Sequence, residues 1–181
     1  MESLRNNELL VLWDDTNKNN LIEYAVIAMQ LIKDDIKDIS FIGVPSGSNN
    51  LIPHIGIAGK PTKLPLRRFG DGMTRLLGLS LALSSCRNGA LFIDEIETGL
   101  HYSILPDVWK LIFKTARDLN VQVFATTHSK DCIEAFTQAA IDDEESDGTL
   151  IRLENKNGSI KSVNFSEDEL ETVARRDIEV R

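Results

Sequence analysis

Between residues 20 and 33 the apolar side chains Leu21, Ile22, Ala25, Val26, Ala28, Met29 and Ile32 recur at helical spacing against a polar opposite face, which predicts an amphipathic helix from Asn20 to about Lys33. Ile39 to Val44 (ISFIGV) is short and β-branched, and the turn formers PSGSNN follow it, so a strand running into a surface loop is expected there. Residues 45–64 read as irregular or hairpin-like chain. From Gly72 to Cys86 nearly every face is apolar, the pattern of a helix buried on several sides. ALFID (90–94) and VQVFAT (121–126) are uninterrupted apolar runs of strand length, as expected of parallel strands covered on both faces. The helix between them has Ser103 as its expected cap and Pro106 in its first turn, with Ile104, Val108, Leu111, Ile112, Thr115 and Leu119 on one side. Strand, helix and strand form a βαβ unit, whose crossover is expected to be right-handed. A further helix is expected after His128, a solvated acidic loop at DDEESD (142–147), and a hairpin turning at Asn157-Gly158 within TLIRLENKNGSIKSVNF.

Composition narrows the class. A chain of 181 residues suits one hydrophobic core. No stretch approaches the roughly 20 apolar residues of a membrane-spanning helix, and MESLRNNELL lacks the pattern of a secretory signal, so a cytoplasmic address is expected. Cys86 and Cys132 sit in apolar, helix-like surroundings without metal-ligand spacing and read as reduced thiols. With 28 acidic and 20 basic side chains, a formal charge of −8 argues against a general nucleic-acid-coating surface, so any DNA contact is expected to be local.

Three short elements carry the chemistry. FGDGMTRLL (69–77) is a glycine-containing turn that opens a helix, and residues 60–80 hold five basic side chains (Lys60, Lys63, Arg67, Arg68, Arg75) against the single acid Asp71. Exposed N–H groups at such a start suit a phosphate, although tight helix packing would also call for glycine. ALFIDE ends an apolar strand in Asp94 and Glu95. Adjacent carboxylates at a strand end fit a magnesium ion held by Asp94, partly through water, and a proton acceptor at Glu95; a surface loop is the alternative. VQVFATTHS places Thr126, Thr127, His128 and Ser129 where ligands of open α/β sheets gather. His128 could touch a terminal phosphate there or serve structure alone.

In this order the three elements resemble the carboxyl-terminal half of ABC-type ATPases, near the RecF, SMC and OLD branch and its bacterial AAA family relatives. FGDGM stands where that superfamily has its LSGGQ-like signature, with Phe69, Gly70 and Asp71 in place of the usual Leu, Ser and Gly. ALFIDE matches the Walker B strand, ETGLH the D-loop and ATTHS the switch-histidine strand. The resemblance is strong over residues 64–136 and looser through the hairpin and the closing IEVR. It implies an α/β fold, the carboxyl-terminal lobe of a P-loop NTPase-like domain, with a largely parallel sheet flanked by helices and a terminal β-hairpin. The chain then reads as one partial domain: residues 1–63 leading in, 64–136 the core, 137–181 the acidic loop and hairpin.

The resemblance also implies ATP and Mg2+ between two heads arranged head to tail. Gly70 and Gly72 would contact the partner's γ-phosphate, with Asp71 and Arg75 beside them in the nucleotide-binding set, Asp94 would support magnesium, Glu95 would orient and deprotonate water, and His128 would sense the γ-phosphate. Glu97, Gly99, Leu100 and His101 would line the dimer interface. A P-loop needs G-x-x-x-x-G-K-[ST], and the nearest approach, Gly59-Lys60, is followed by Pro61 with His54 in the earlier glycine position. The expectation is therefore a Walker B half completed by a P-loop-bearing half or partner, in DNA maintenance or phage defence, with DNA a possible ligand of the assembly. A non-catalytic interaction module that keeps the dimer surface is the alternative. A P-loop in an upstream segment or adjacent frame separates the two.

Overall fold

The computed structural model describes residues 6–43, 51–143, 145, 148–156 and 158–165. The expected PSGSNN loop, Val44, Asn157 and the closing IEVR lie outside the described residues. Helices α1 (Asn6–Lys18) and α2 (Ile22–Gln30) precede an antiparallel sheet of β1 (Ile36–Gly43), β2 (Leu51–Ile57) and the short β3 (Leu64–Pro65). A 3-10 turn at Leu66–Phe69 leads into α3 (Asp71–Ser85). Then come β4 (Ala90–Ile93), α4 (Leu105–Leu119), β5 (Gln122–Ala125), α5 (Lys130–Asp142) and the antiparallel hairpin β6 (Leu150–Lys156) and β7 (Ser159–Phe165). Among the described strands parallel pairing is confined to β4 and β5.

Helix α3 organises the interior because its apolar residues point in every direction. Leu76 joins Ile93, Ile96, Val108, Trp109, Ile112 and Phe136 in a cluster beneath β4 and between α4 and α5. Met73, Leu77 and Leu81 pack with Leu9, Ala25, Met29, Ile36, Ile39 and Ile55 on the other side. Leu83 closes a third cluster with Leu119 and Val121.

The helix expected over 20–33 is α2, and the 45–64 stretch contains a strand, β2, that pairs with β1 as a hairpin. Helix α1 was not expected. Its Leu9, Leu12, Trp13 and Thr16 have helical spacing, but a threonine at the fourth place hides the stripe; it is tolerated inside because Thr16 Oγ1 donates to Leu12 O at 2.8 Å. Both cysteines are free thiols. Among the described residues no helix is long and apolar enough to cross a membrane.

Three expectations are corrected. Ser103 does not cap α4: it lies in a 3-10 turn at Tyr102–Ile104 and donates its N–H to His101 Nδ1, while α4 starts at Leu105 with Pro106 in its first turn and no side-chain cap. The acidic stretch is not simply a solvated loop. Asp142 ends α5 and pairs with Lys110 at 2.8 Å, and Arg117 holds both Asp143 and Glu145. The hydrogen bond from Lys110 accordingly holds the Asp142 carboxyl below its ordinary range.

The third correction concerns β4 and β5, which among the described residues are covered on one face and not on both. Leu91, Ile93 and Val123 face the clusters, whereas Phe92 is 71% and Phe124 45% exposed. Their rings stack on the open side with centroids 4.9 Å apart and 8° between planes.

Candidate functional site

The parallel register places the two strand ends level. Ile93 pairs with Ala125, so Asp94 and Thr126 leave the sheet side by side. Thr126 Oγ1 donates to Asp94 Oδ1 at 2.6 Å and accepts the Glu95 N–H at 3.0 Å, using its hydroxyl in both senses. The ladder runs on past the strands, from Thr126 N–H to Ile93 O at 2.9 Å and from Ile96 N–H to Thr126 O at 3.1 Å. Asp94 keeps its side chain exposed.

Glu95 adopts the left-handed backbone region with φ 47, uncommon for a residue bearing a side chain. Such a conformation persists only where its surroundings over-determine it. Here the Glu95 N–H is bound by Thr126, its carbonyl accepts from Thr98 N–H at 3.0 Å and Arg75 Nη2 at 3.1 Å, and its carboxylate accepts from Thr98 Oγ1 at 3.2 Å.

Arg75 comes from the first turns of α3 and is half-buried. Burial pulls its pKa down, Glu97 opposes that, and the guanidinium stays charged as arginine does. Gly70 stands at the helix start with φ 85 and supplies no side-chain cap, which leaves the first-turn N–H groups unblocked beside the exposed Asp71. Gly72 packs on the next turn: a Cβ there would lie 3.2 Å from Gly99 O and 3.6 Å from Ile32 Cδ1. Gly72→Val is expected to cost about 1–3 kcal/mol through overpacking. A thermal midpoint unchanged from that of the parent chain would mean that the contact does not form in solution.

The segment 97–101 does not lie wholly outward. Glu97 Oε1 accepts the His128 N–H at 3.2 Å, and Leu100 N–H bonds Glu97 O at 2.9 Å. Leu100 leans on the α4–α5 cluster, while Gly99 and His101 are exposed and His101 Nδ1 meets Ser103 Oγ at 2.8 Å. The His128 side chain is exposed at the end of β5. Ser129, expected among the ligand-edge residues, instead caps α5 by accepting the Cys132 N–H. Beneath this turn Cys132 is buried, and burial pushes its thiol pKa up.

Four segments therefore converge: the start of α3, the Asp94–Glu95 turn, residues 97–101 and the His128 turn. Sequence reasoning missed the bridging role of Thr126 and the inward turn of Glu97. The register of two four-residue strands would have shown the first, since it sets Thr126 opposite Asp94. Of the basic group, Lys63 is drawn away to Asp38, and Lys60 sits in the turn after β2. Gly59-Lys60 thus follows an antiparallel strand, not the strand-to-helix junction a P-loop requires. Arg67 and Arg68 remain exposed just before Gly70.

Among the described residues no three His, Cys, Asp or Glu side chains group as a self-sufficient metal site. A lone exposed carboxylate with one oxygen already hydrogen-bonded fits magnesium, which takes one or two protein carboxylates and fills its shell with water and substrate phosphate.

A family model described as "AAA domain, putative AbiEii toxin, Type IV TA system" matches residues 12–131. An "ATP/GTP phosphatase" of Helicobacter pylori is 37% identical over 83 residues, which are 42% of this chain and 21% of that protein. The chain thus spans about a fifth of that curated relative. A solved chain from work on ATP-driven dimerization and DNA-stimulated activation of SMC ATPases superposes with TM-score 0.57 at 14% identity, covering 90% of this chain and 96% of that one. A SmcHead bound to the C-winged helix domain of ScpA gives TM-score 0.58 at 14% identity, covering 95% and 53% respectively. These likenesses establish the fold as that of SMC ATPase heads, a P-loop NTPase fold. The chain belongs to the AAA-domain family whose model it matches over residues 12–131, and it shares the fold of SMC ATPase heads.

Proposed function

We propose that this chain is the carboxyl-terminal, ATP-hydrolysing half of an ABC-like head, completed by a P-loop-bearing polypeptide encoded upstream of these residues or in a neighbouring frame. One observation supports the reading: among the described residues the sheet that bears Asp94, Glu95 and the His128 turn at its strand ends has two strands, and its Phe92–Phe124 face is bare. Strands apolar on both sides belong in the middle of a layered α/β sheet. Coverage of nearly all of one SMC chain but 53% of a SmcHead chain supports the same division.

Within the completed site Glu95 takes a proton from the attacking water as its oxygen bonds to the γ-phosphorus, the bond to the β-γ bridging oxygen breaks, and ADP and phosphate leave. Thr98 and Arg75 keep Glu95 aimed during that step. Asp94 would hold magnesium, which when bound supplies charge stabilisation to the phosphates. His128 contacts the γ-phosphate, and Gly70, Asp71, Gly72 and Arg75 form the face that closes on a second head's nucleotide. Glu97, Gly99, Leu100 and His101 adjoin that head-to-tail contact. The H. pylori relative's name extends the candidate nucleotides to GTP. The family description and the DNA-stimulated SMC neighbour support a role in phage defence or DNA maintenance.

Phosphate-release and calorimetric measurements test this. The chain alone is expected to show negligible turnover and ATP affinity weaker than micromolar, because no P-loop cradle is in its sequence. Adding the P-loop polypeptide should bring magnesium-dependent turnover. Micromolar ATP binding by the chain alone would overturn the half-site reading, and association without any turnover would favour a non-catalytic interaction module.

A further inference from the structure

We propose that Glu97 is the positioning residue for His128, holding in place the peptide that carries the histidine. The resemblance assigned Glu97 to a partner-facing loop, yet its carboxylate is turned into the molecule. Oε1 accepts the His128 N–H at 3.2 Å. Oε2 is buried with no hydrogen-bond partner among the described residues.

The charge has a counterpart in the Arg75 guanidinium, which is half-buried and senses Glu97. Arg75 also donates to the Glu95 carbonyl. Glu97 thus couples electrostatically to the residue that steadies Glu95 while it bonds the peptide of His128. A hydrogen bond to a carboxylate is about twice as strong as one between neutral groups, so between the anchored Thr126 and the α5 cap at Ser129 this carboxylate is what holds the His128 peptide itself. Beyond Glu97, that turn has the Thr127 Oγ1 to Ser129 N–H contact at 3.0 Å. The functional consequence rests on the proposed γ-phosphate contact of His128; the tether itself does not.

Amide hydrogen exchange by NMR on the chain alone decides the tether. Glu97→Ala should raise exchange at His128 N–H about tenfold or more, with smaller changes at Ile93 and Ala125, while Glu97→Gln, which retains a carbonyl acceptor, should stay within about threefold of the parent. Unchanged His128 exchange in Glu97→Ala would overturn the proposal, as would equal effects of both substitutions. If Glu97→Ala fails to fold, Glu97→Ser serves as the acceptor-shortened variant, with the same expectation. In the assembly with the P-loop polypeptide, Glu97→Ala should lower kcat with KM for ATP changed less than about twofold. Adding it to His128→Ala should cost nothing further, since coupled residues are not additive. A full additional loss in the double variant would place Glu97's action elsewhere. Absence of turnover in the parent assembly would count against the functional reading, while the exchange result would still decide the tether.

Discussion

Glu95→Gln, in the chain combined with its P-loop polypeptide, is expected to lower ATP turnover by about 100-fold or more while leaving the fold and nucleotide-bound association intact. General-base removal typically costs about 10²–10⁴-fold in rate. Glutamine is isosteric, and its amide oxygen can still accept the Thr98 hydroxyl that the Glu95 carboxylate now receives at 3.2 Å. The backbone bonds that hold φ at 47 involve Thr126, Thr98 and Arg75 and do not depend on the carboxylate charge. Turnover should be read by phosphate release and association by size-exclusion chromatography with ATP. Hydrolysis within about tenfold of the parent would remove Glu95 from the role of base.

Replacing Phe92 and Phe124 together by serine is expected to weaken association with the P-loop polypeptide by about 20- to 400-fold. Fully burying one phenylalanine is worth about 1.5–3 kcal/mol, and with 71% of Phe92 and 45% of Phe124 still exposed the pair has roughly 1.7–3.5 kcal/mol left to gain from a covering surface. The same double substitution should lower the isolated chain's thermal midpoint by only a few degrees, since the stacked contact it removes is worth about 0.5–1.5 kcal/mol. Self-association of the isolated chain should fall as well, because a bare stacked pair is a sticky patch. An unchanged dissociation constant, measured by calorimetry, would show that the partner docks elsewhere.

The sequence made the central elements legible where periodicity was strong. Helix α3, the βαβ unit and the terminal hairpin were expected from the all-round apolar run at 72–86, the two short apolar strands and the Asn157-Gly158 turn signal. Helix α1 escaped because its buried fourth position is Thr16, whose hydroxyl is satisfied by a carbonyl one turn back and whose burial a polarity pattern cannot register. The open face of β4 and β5 escaped for a different reason. Apolar side chains on both faces of Phe92 and Phe124's strands describe the layers a strand is built to touch, and one of those layers is not among the described residues. At the site, the types and order of residues were readable, whereas hydrogen-bond direction was not. Thr126 serving two neighbours and Glu97 folding back to the His128 peptide depend on strand register and on a turn at Glu95 that no composition rule foresees.

Helix α3 lends side chains to all three hydrophobic clusters, through Leu76, through Met73, Leu77 and Leu81, and through Leu83. It can neither slide nor roll without breaking close packing on every side, so the glycine turn at its head is bolted to the scaffold. Residues 126–129 lend none to any cluster. When an incoming surface demands accommodation, compliance must come from that lighter segment, which leaves the helix head an anvil and the residues after β5 its spring.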